Sequence, residues 1–214
     1  MGLWWRLVHF GFRLLYNELA FTYDLVSRVV SLGSWQCWQR TSLNHLDIVP
    51  NDRVLDLAHG TGNLHIDLNA AGYRVFGHDL SSCMGRITCK KLNKHSFPMR
   101  LSRGKAQALP YASGSFATVI STFPTAFITQ PDTLDEIARV LRSHGQFVIV
   151  SSGILTGGGA LRIFLEWLYR VTGQRERPQF DIRTFLADSG FVSKIVQEPC
   201  PHSIAQVIVA RKKG

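Results

Sequence analysis

The chain has 214 residues, 45% apolar and 18% charged, and a formal net charge of +9. That length suits one domain with a sizeable core, and that composition excludes a disordered chain. Four cysteines, Cys37, Cys83, Cys89 and Cys200, occur without a C-x-x-C pair. This speaks against a zinc knuckle or a dense disulfide framework, makes a reducing cytoplasmic setting the default, and leaves Cys83 and Cys89 as packing residues.

Residues 1–16 read MGLWWRLVHFGFRLLY. The stretch lacks the uninterrupted apolar run of a spanning helix and the small-residue cleavage site of a signal peptide. Arg6 stands where a myristoylation signal has Ser or Thr. An aromatic, basic, amphipathic helix fits, and it has two compatible uses. It can lie in a membrane interface, or pack its aromatics over the domain's own site. Glu18 to Arg40 predicts one or two further helices broken at Gly33, and Asn44 to Asp52 a polar turn.

From Val54 the pattern changes. Strands are predicted at Val54–Leu57, Arg74–Asp79, Met99–Arg103, Thr118–Thr122 and Gln146–Ser151. Between them lie helical segments at Asn63–Ala71, Ser82–Lys94 and Thr133–Leu141. Alternation of this kind implies a parallel, doubly wound α/β sheet. The remainder reads as a glycine hinge (Gly157, Gly158, Gly159), an apolar helix at Ala160–Thr172 and a short helix at Ile182–Asp188. Two runs, Phe191–Gln197 and Ile204–Arg211, close as an antiparallel hairpin.

RVLDLAHGTGNL (Arg53 to Leu64) carries the strongest chemical signal. A buried strand runs into a turn bearing Gly60 and Gly62, where glycine permits positive φ and close backbone approach to a ligand. Asp79 ends the next apolar run, at the spacing of a ribose-binding carboxylate. Between Arg86 and Lys105 lie seven Lys/Arg and no acid. That run fits first a solvated face; of the sharper readings, an anionic membrane surface ranks ahead of a nucleic acid, because no nucleic-acid module accompanies it.

These motifs resemble the class I S-adenosylmethionine-dependent methyltransferases, and within them the ubiquinone/menaquinone C-methyltransferase-like (type 11) group. The likeness rests on VLDLAHGTGNL, GHDLS (Gly77 to Ser81), KAQALPYASGSFATVISTF (Lys105 to Phe123) and VLRSHGQFVIV (Val140 to Val150). It rests further on YDLVSRVVSLGSWQCWQR (Tyr23 to Arg40), which keeps the group's register at Tyr23, Asp24, Ser31, Gly33, Trp38 and Arg40. The resemblance implies a Rossmann-like, seven-stranded, mostly parallel sheet with a C-terminal hairpin. It divides one domain, 1–214, into an N-terminal helical lid (1–45) and a core (46–214). The chain departs from the pattern at His59, Asn63, Lys105, Ala117, Ser143 and His144, and the quinone enzymes' own GLRN and GIVALH stretches are absent.

The resemblance also implies that S-adenosylmethionine is the donor and that no metal is needed. Asp79 would accept from the ribose hydroxyls, beside Leu80. Ala58, His59, Gly60, Thr61 and Gly62 would cradle the methionine moiety, and Asp56 would orient its ammonium. Met84 would cover the adenine, and Ala106 would offer it a backbone N–H. Lys105, which has donors only, would turn to solvent and leave Gln107 or a carbonyl to face the adenine amine. Thr122 would sit near the sulfonium, and Tyr23 would close over the donor. His59 is the candidate base, with Tyr23 beside it as a second catalytic candidate; His65 and His78 are further histidines near the turn. Trp4, Trp5, Tyr16, Phe123, Phe127, Phe164, Trp167 and Leu168 would line an apolar acceptor pocket. The expected acceptor is a lipophilic or aromatic small molecule, with peripheral membrane contact through residues 1–16. A nucleic-acid methyltransferase and a catalytically silent donor-binding protein are the alternatives. STFPT follows strand four where a base-flipping enzyme would have an NPPY-like tetrapeptide.

Overall fold

A computed structural model describes residues 3–156, 158–173 and 182–213. Its sheet has seven strands in the order β3-β2-β1-β4-β5-β7-β6. They are β1 (Arg53–Leu57), β2 (Arg74–Asp79), β3 (Leu101–Arg103), β4 (Phe116–Thr122), β5 (Leu141–Leu155), β6 (Phe191–Cys200) and β7 (Ser203–Lys212). β1 to β5 are parallel, and β7 runs antiparallel to both β5 and β6. β1 has β2 on one side and β4 on the other, so the strand order reverses there; a crevice opens at the carboxyl ends of strands at such a switch point.

Successive strand residues feed opposite faces. Leu55, Leu57, Val119, Phe147 and Ile149 join one buried cluster with Leu134 and Ile137 of α6 (Pro131–Val140). Their neighbours Val54, Ile120, Val148 and Val150 join the other, with Leu64 and Leu68 of α4 (Asn63–Ala70). Burial on both faces is why these strands read as continuous apolar runs. α5 (Ser82–Lys94) follows β2 and carries the buried Met84, Thr88 and Leu92.

The N-terminal helices are α1 (Leu3–Tyr16), α2 (Tyr23–Val30) and α3 (Trp35–Arg40), and Gly33 at φ +84° turns the chain between α2 and α3. α3 is moored to the sheet. Trp38 is fully buried and donates from its indole Nε1 to Ser203 Oγ at 2.9 Å. Its ring lies where a side chain on Gly153 of β5 would be, with ring carbons 2.2–2.4 Å from the position of a Cβ. α7 (Ala160–Val171) and α8 (Ile182–Asp188) precede the hairpin.

Three readings change. Cys37 and Cys200, taken from the sequence as unlinked, form a disulfide across a separation of 163 residues. Spacing along the chain does not reveal that α3 and the β6–β7 turn meet. β5 extends to Leu155 rather than Ser151, because Ser152 to Leu155 find partners in Ser203 to Gln206 of β7. β3 begins at Leu101 rather than Met99. Of the glycine hinge, Gly157 lies outside the described residues, and Gly159 takes φ +129° ahead of α7. No helix among the described residues is long and apolar enough to cross a membrane.

The Trp38 mooring sets one expectation. Gly153→Ala will lower the unfolding free energy by about 1–3 kcal/mol, the range for overpacking a tight core. A urea titration followed by tryptophan fluorescence measures it, and an unchanged midpoint would show that α3 is not docked on β5 as described.

Candidate functional site

β1 ends in a turn that few residue types could follow. Ala58, Gly60 and Gly62 all adopt positive φ, at 59°, 55° and 77°. The two glycines serve different ends. A Cβ on Gly62 would lie 2.5–3.0 Å from the Thr88 side chain, so α4 can start there only without one. A Cβ on Gly60 would meet nothing within 4 Å, so that side of the turn is open.

Asp79, at the end of β2, holds the turn from the side. Its Oδ2 accepts the Gly60 N–H at 2.9 Å and its Oδ1 accepts the Ser81 N–H at 2.7 Å. One carboxylate thus ties the β1 turn to the start of α5, and each oxygen keeps a free lone pair for a further donor. Ser81 caps α5 by accepting from the Met84 N–H at 3.2 Å, and its hydroxyl donates to the Tyr16 carbonyl at 2.6 Å. Leu80 is exposed beside them.

His59 lies beneath the turn, only 6% exposed. Its Nδ1 is 2.9 Å from the Gly60 carbonyl oxygen and 3.2 Å from Thr88 Oγ1; Thr88 also donates to that carbonyl at 2.9 Å. Deeper still, Asp56 and His65 are fully buried and face each other at 3.5 Å, Oδ2 to Nδ1. His78, on β2, engages Ser102 Oγ through Nδ1 at 2.8 Å and the Lys105 carbonyl through Nε2 at 3.3 Å. Burial foremost holds His78 below its ordinary pKa, so near neutrality it is an uncharged strut under the Gly104–Ala106 loop. In that loop Lys105 is exposed, Ala106 is buried and Gln107 bonds Gln130.

The N-terminal helices meet the turn from its other side. Asp24, at the start of α2, accepts from Thr61 Oγ1 at 2.6 Å, Asn63 Nδ2 at 3.0 Å and Lys91 Nζ at 2.6 Å. Lys91 Nζ also donates to Asn63 Oδ1 at 2.6 Å. Burial alone would raise the Asp24 pKa, but the bonds from Lys91, Thr61 and Asn63 outweigh it and hold the carboxyl below its ordinary value. One of the seven basic residues of the Arg86–Lys105 run is therefore spent inward, on the lid. Sequence reasoning assigned no role to Asp24, Asn63 or Lys91 at the site. The only pointer was that Asp24 falls in register within the Tyr23–Arg40 stretch.

Next to this latch stands an aromatic wall. Tyr16 and Tyr23 have ring centres 5.8 Å apart, Tyr23 and Trp35 6.2 Å, and Trp35 and Phe123 4.1 Å. Burial, then the neighbouring Tyr16, Asp24 and Asp79, hold the Tyr23 phenol well above its usual pKa, so it remains a hydrogen-bond donor. Phe123 follows β4 at φ +50°, a conformation rare for a bulky residue. Thr122, just before it, accepts from Gln39 Nε2 of α3 at 3.2 Å. The expected acceptor lining divides. Tyr16 and Phe123 join the wall, whereas Trp4, Phe164 and Trp167 are each more than half exposed and line no enclosed pocket. Those three sit at helical positions that packing does not claim, which their apolar character alone could not tell.

Known proteins share this chain's sequence family and its fold. Residues 54–145 match the family model described as "Methyltransferase domain". The demethylmenaquinone methyltransferase of Mycobacterium sp. (strain KMS) is 30% identical over 179 residues, covering 82% of this chain and 75% of that protein. The demethylmenaquinone methyltransferase of Beutenbergia cavernae is 35% identical over 136 residues, covering 63% of this chain and 55% of that protein. Against several such relatives the chain spans 55–65% of their length. A structure of geranyl diphosphate C-methyltransferase from Streptomyces coelicolor A3(2), with S-adenosyl-L-homocysteine, superposes with a TM-score of 0.64. It covers 82% of this chain and 78% of that one at 15% identity, a likeness of fold.

Two outcomes follow from the geometry. Gly62→Ala places a methyl group both at positive φ and against Thr88, so the melting temperature drops by roughly 4 °C or more; Thr88→Ala added to it restores part of the loss. No recovery in the double variant would remove Thr88 from the account. The depressed Asp24 carboxyl contributes stability above its unfolded pKa, near 3.8, and loses it as pH falls through the lower folded value. Wild type will therefore melt above Asp24→Asn by a constant margin from about pH 5 to 8, and the margin will close in acid below that. A margin that persists in strong acid would rule out a charged latch.

Proposed function

We propose that this chain, which belongs to the ubiquinone/menaquinone C-methyltransferase-like group of class I S-adenosylmethionine-dependent methyltransferases, transfers the methyl group of S-adenosylmethionine to a lipophilic or aromatic small molecule. The observation that carries the reading is the Asp79 carboxylate, pinned by two backbone N–H groups beside an open glycine turn and below an aromatic wall. The residues fit such a donor. Asp79 has lone pairs left for ribose hydroxyls, Gly60 leaves room beside the turn, and the Ala106 backbone stands for adenine. The sulfonium supplies an activated methyl group, and its transfer is an in-line displacement.

What the chain adds is position and dryness. Tyr23 closes over the site as a neutral phenol. The Asp24–Lys91 latch keeps the lid on the turn. Met84 packs against the adenine side, and Thr122, with Phe123 behind it, faces the reacting centre. Leu80 borders the ribose, Gln107 or a nearby carbonyl faces the adenine amine, and Lys105 stays in solvent. Asp56, fully buried beneath the turn with Oδ2 3.5 Å from His65 Nδ1, orients the ammonium directly or through water. We read His59 as a positioning residue for the Gly60 carbonyl, and Tyr23 as the group nearer the reaction. Trp35 and Phe123 give an aromatic acceptor its stacking surface.

The remaining parts of the reading follow from the sequence. The chain is one domain, with residues 1–45 as lid and 46–214 as core, and works in the cytoplasm, peripheral to a membrane that residues 1–16 touch. In that reducing setting the Cys37–Cys200 bridge would open, leaving α3 held by Trp38, the Gln39–Thr122 bond and the Arg40–Asp67 pair.

Titration calorimetry with S-adenosylhomocysteine tests the site. Wild type will bind, and Asp79→Ala will lose at least about tenfold in affinity, the effect of a charge-assisted hydrogen bond. His59→Gln will bind within a few-fold of wild type, because Gln can still donate to the Gly60 carbonyl. Absence of binding by wild type would sink the enzyme reading; unchanged affinity in Asp79→Ala would refute the placement of the ribose.

A further inference from the structure

Large apolar side chains stand exposed on elements far apart in sequence but joined in space. Trp4 of α1 donates from Nε1 to the Val171 carbonyl, at the end of α7, at 2.8 Å. Tyr169 of α7 donates to the Val30 carbonyl, at the end of α2, at 3.0 Å. α1, α2 and α7 thus form one cap. On its solvent side Leu7, Phe21, Leu25, Ile163 and Trp167 are 55–76% exposed. Single exposed apolar residues need no explanation, but several on elements bonded to one another in this way point to an interaction surface.

Charge says what covers it. α1 and α7, with residues 17–30 between α1 and the end of α2, carry five arginines, Arg6, Arg13, Arg28, Arg162 and Arg170. Four of these are exposed, and Arg162 donates to the Leu155 carbonyl. The same segments carry three acids, Glu18, Asp24 and Glu166. Asp24 is held inward by Lys91. Aromatic and aliphatic side chains ringed by guanidinium groups suit a bilayer interface, where the former enter the acyl boundary and the latter meet lipid phosphate.

We propose that α1, α2 and α7 together form a docking face for an anionic lipid bilayer, and that the contact extends well beyond residues 1–16. The face is read from exposure and charge. It rests on the proposed function only in that a lipophilic acceptor would enter from the bilayer beside the lid. Neither the donor turn nor the aromatic wall takes part in it, so lipid docking and donor binding can be lost separately.

Vesicle flotation of the full chain decides the matter, with phosphatidylcholine alone and with phosphatidylcholine mixed with phosphatidylglycerol. The expected result is strong flotation with the mixed vesicles, weak flotation with phosphatidylcholine alone, and loss of the difference in high salt. Phe21→Ser combined with Ile163→Ser, which leaves residues 1–16 intact, will reduce partitioning by about tenfold or more. That variant will keep its melting temperature and its affinity for S-adenosylhomocysteine, because both side chains are exposed and away from the turn. Equal flotation of the variant would confine the contact to residues 1–16 and overturn the composite face. No flotation of wild type, or a dimer in light scattering that the same substitutions dissolve, would assign the face to another copy of the chain. Loss of donor binding in wild type with flotation kept would strike the proposed function and leave the docking face standing.

Discussion

A turn in which three of five residues are left-handed cannot hold itself, and most of the site exists to hold it. Ala58, Gly60 and Gly62 give the chain the path it needs from β1 into α4. The path is fixed from three directions by groups of different chemistry. Asp79 grips the Gly60 N–H from β2, Thr88 and His59 grip the Gly60 carbonyl from below, and Asp24 grips Thr61 from above. Both polar groups of the Gly60 backbone are therefore satisfied, as a part-buried peptide requires. What stays open is the space where its side chain would have been.

The same logic explains the histidines. Three of them, His59, His65 and His78, surround the turn, and each is buried. These face backbone carbonyls, a carboxylate or a neighbouring hydroxyl. Gly77 shows how tightly they are fitted, since a Cβ there would lie 2.8 Å from the His59 ring and 3.2 Å from the His65 ring. The His59 and His78 rings supply hydrogen-bond partners that aliphatic side chains lack, while His65 fills its space with both ring nitrogens buried and unbonded. The methyl transfer proposed for this chain would be compatible with this arrangement, because such a reaction asks mainly for placement and needs a base only when the acceptor arrives protonated.

The parallel core was legible because strands buried on both faces leave unmistakable apolar runs, and because glycines and Asp79 mark the turn and the end of β2 at fixed spacing. The Tyr23–Arg40 stretch was legible as a unit but not in its workings. Asp24 meets Lys91 only because α2 folds back over α5, and 67 residues of chain separate them. Cys37 and Cys200 meet for the same reason, and nothing local announces either pair. Trp4, Phe164 and Trp167 misled in the opposite sense. A hydrophobic residue on an amphipathic helix looks the same whether it faces a core or the outside, and only packing tells the two apart.

That ambiguity bears on how α1 can exist at all. Among its positions, Trp5, Val8, Phe12, Leu14 and Tyr16 are partly covered by the protein, while Trp4, Leu7 and Phe10 are not. Only Arg6, His9 and Arg13 are basic, and the helix carries no acid. A helix apolar nearly all round gains little from standing in water, and one of this length is marginal on its own. Its inner side is stabilised by the Phe12–Tyr16–Tyr23 stack and the Ser81–Tyr16 bond. Its outer side carries the Trp4 bond to the Val171 carbonyl, while Leu7 and Phe10 stand more than half exposed. Covering that side would stabilise the helix itself, whose inner face already packs through Tyr16 on Tyr23.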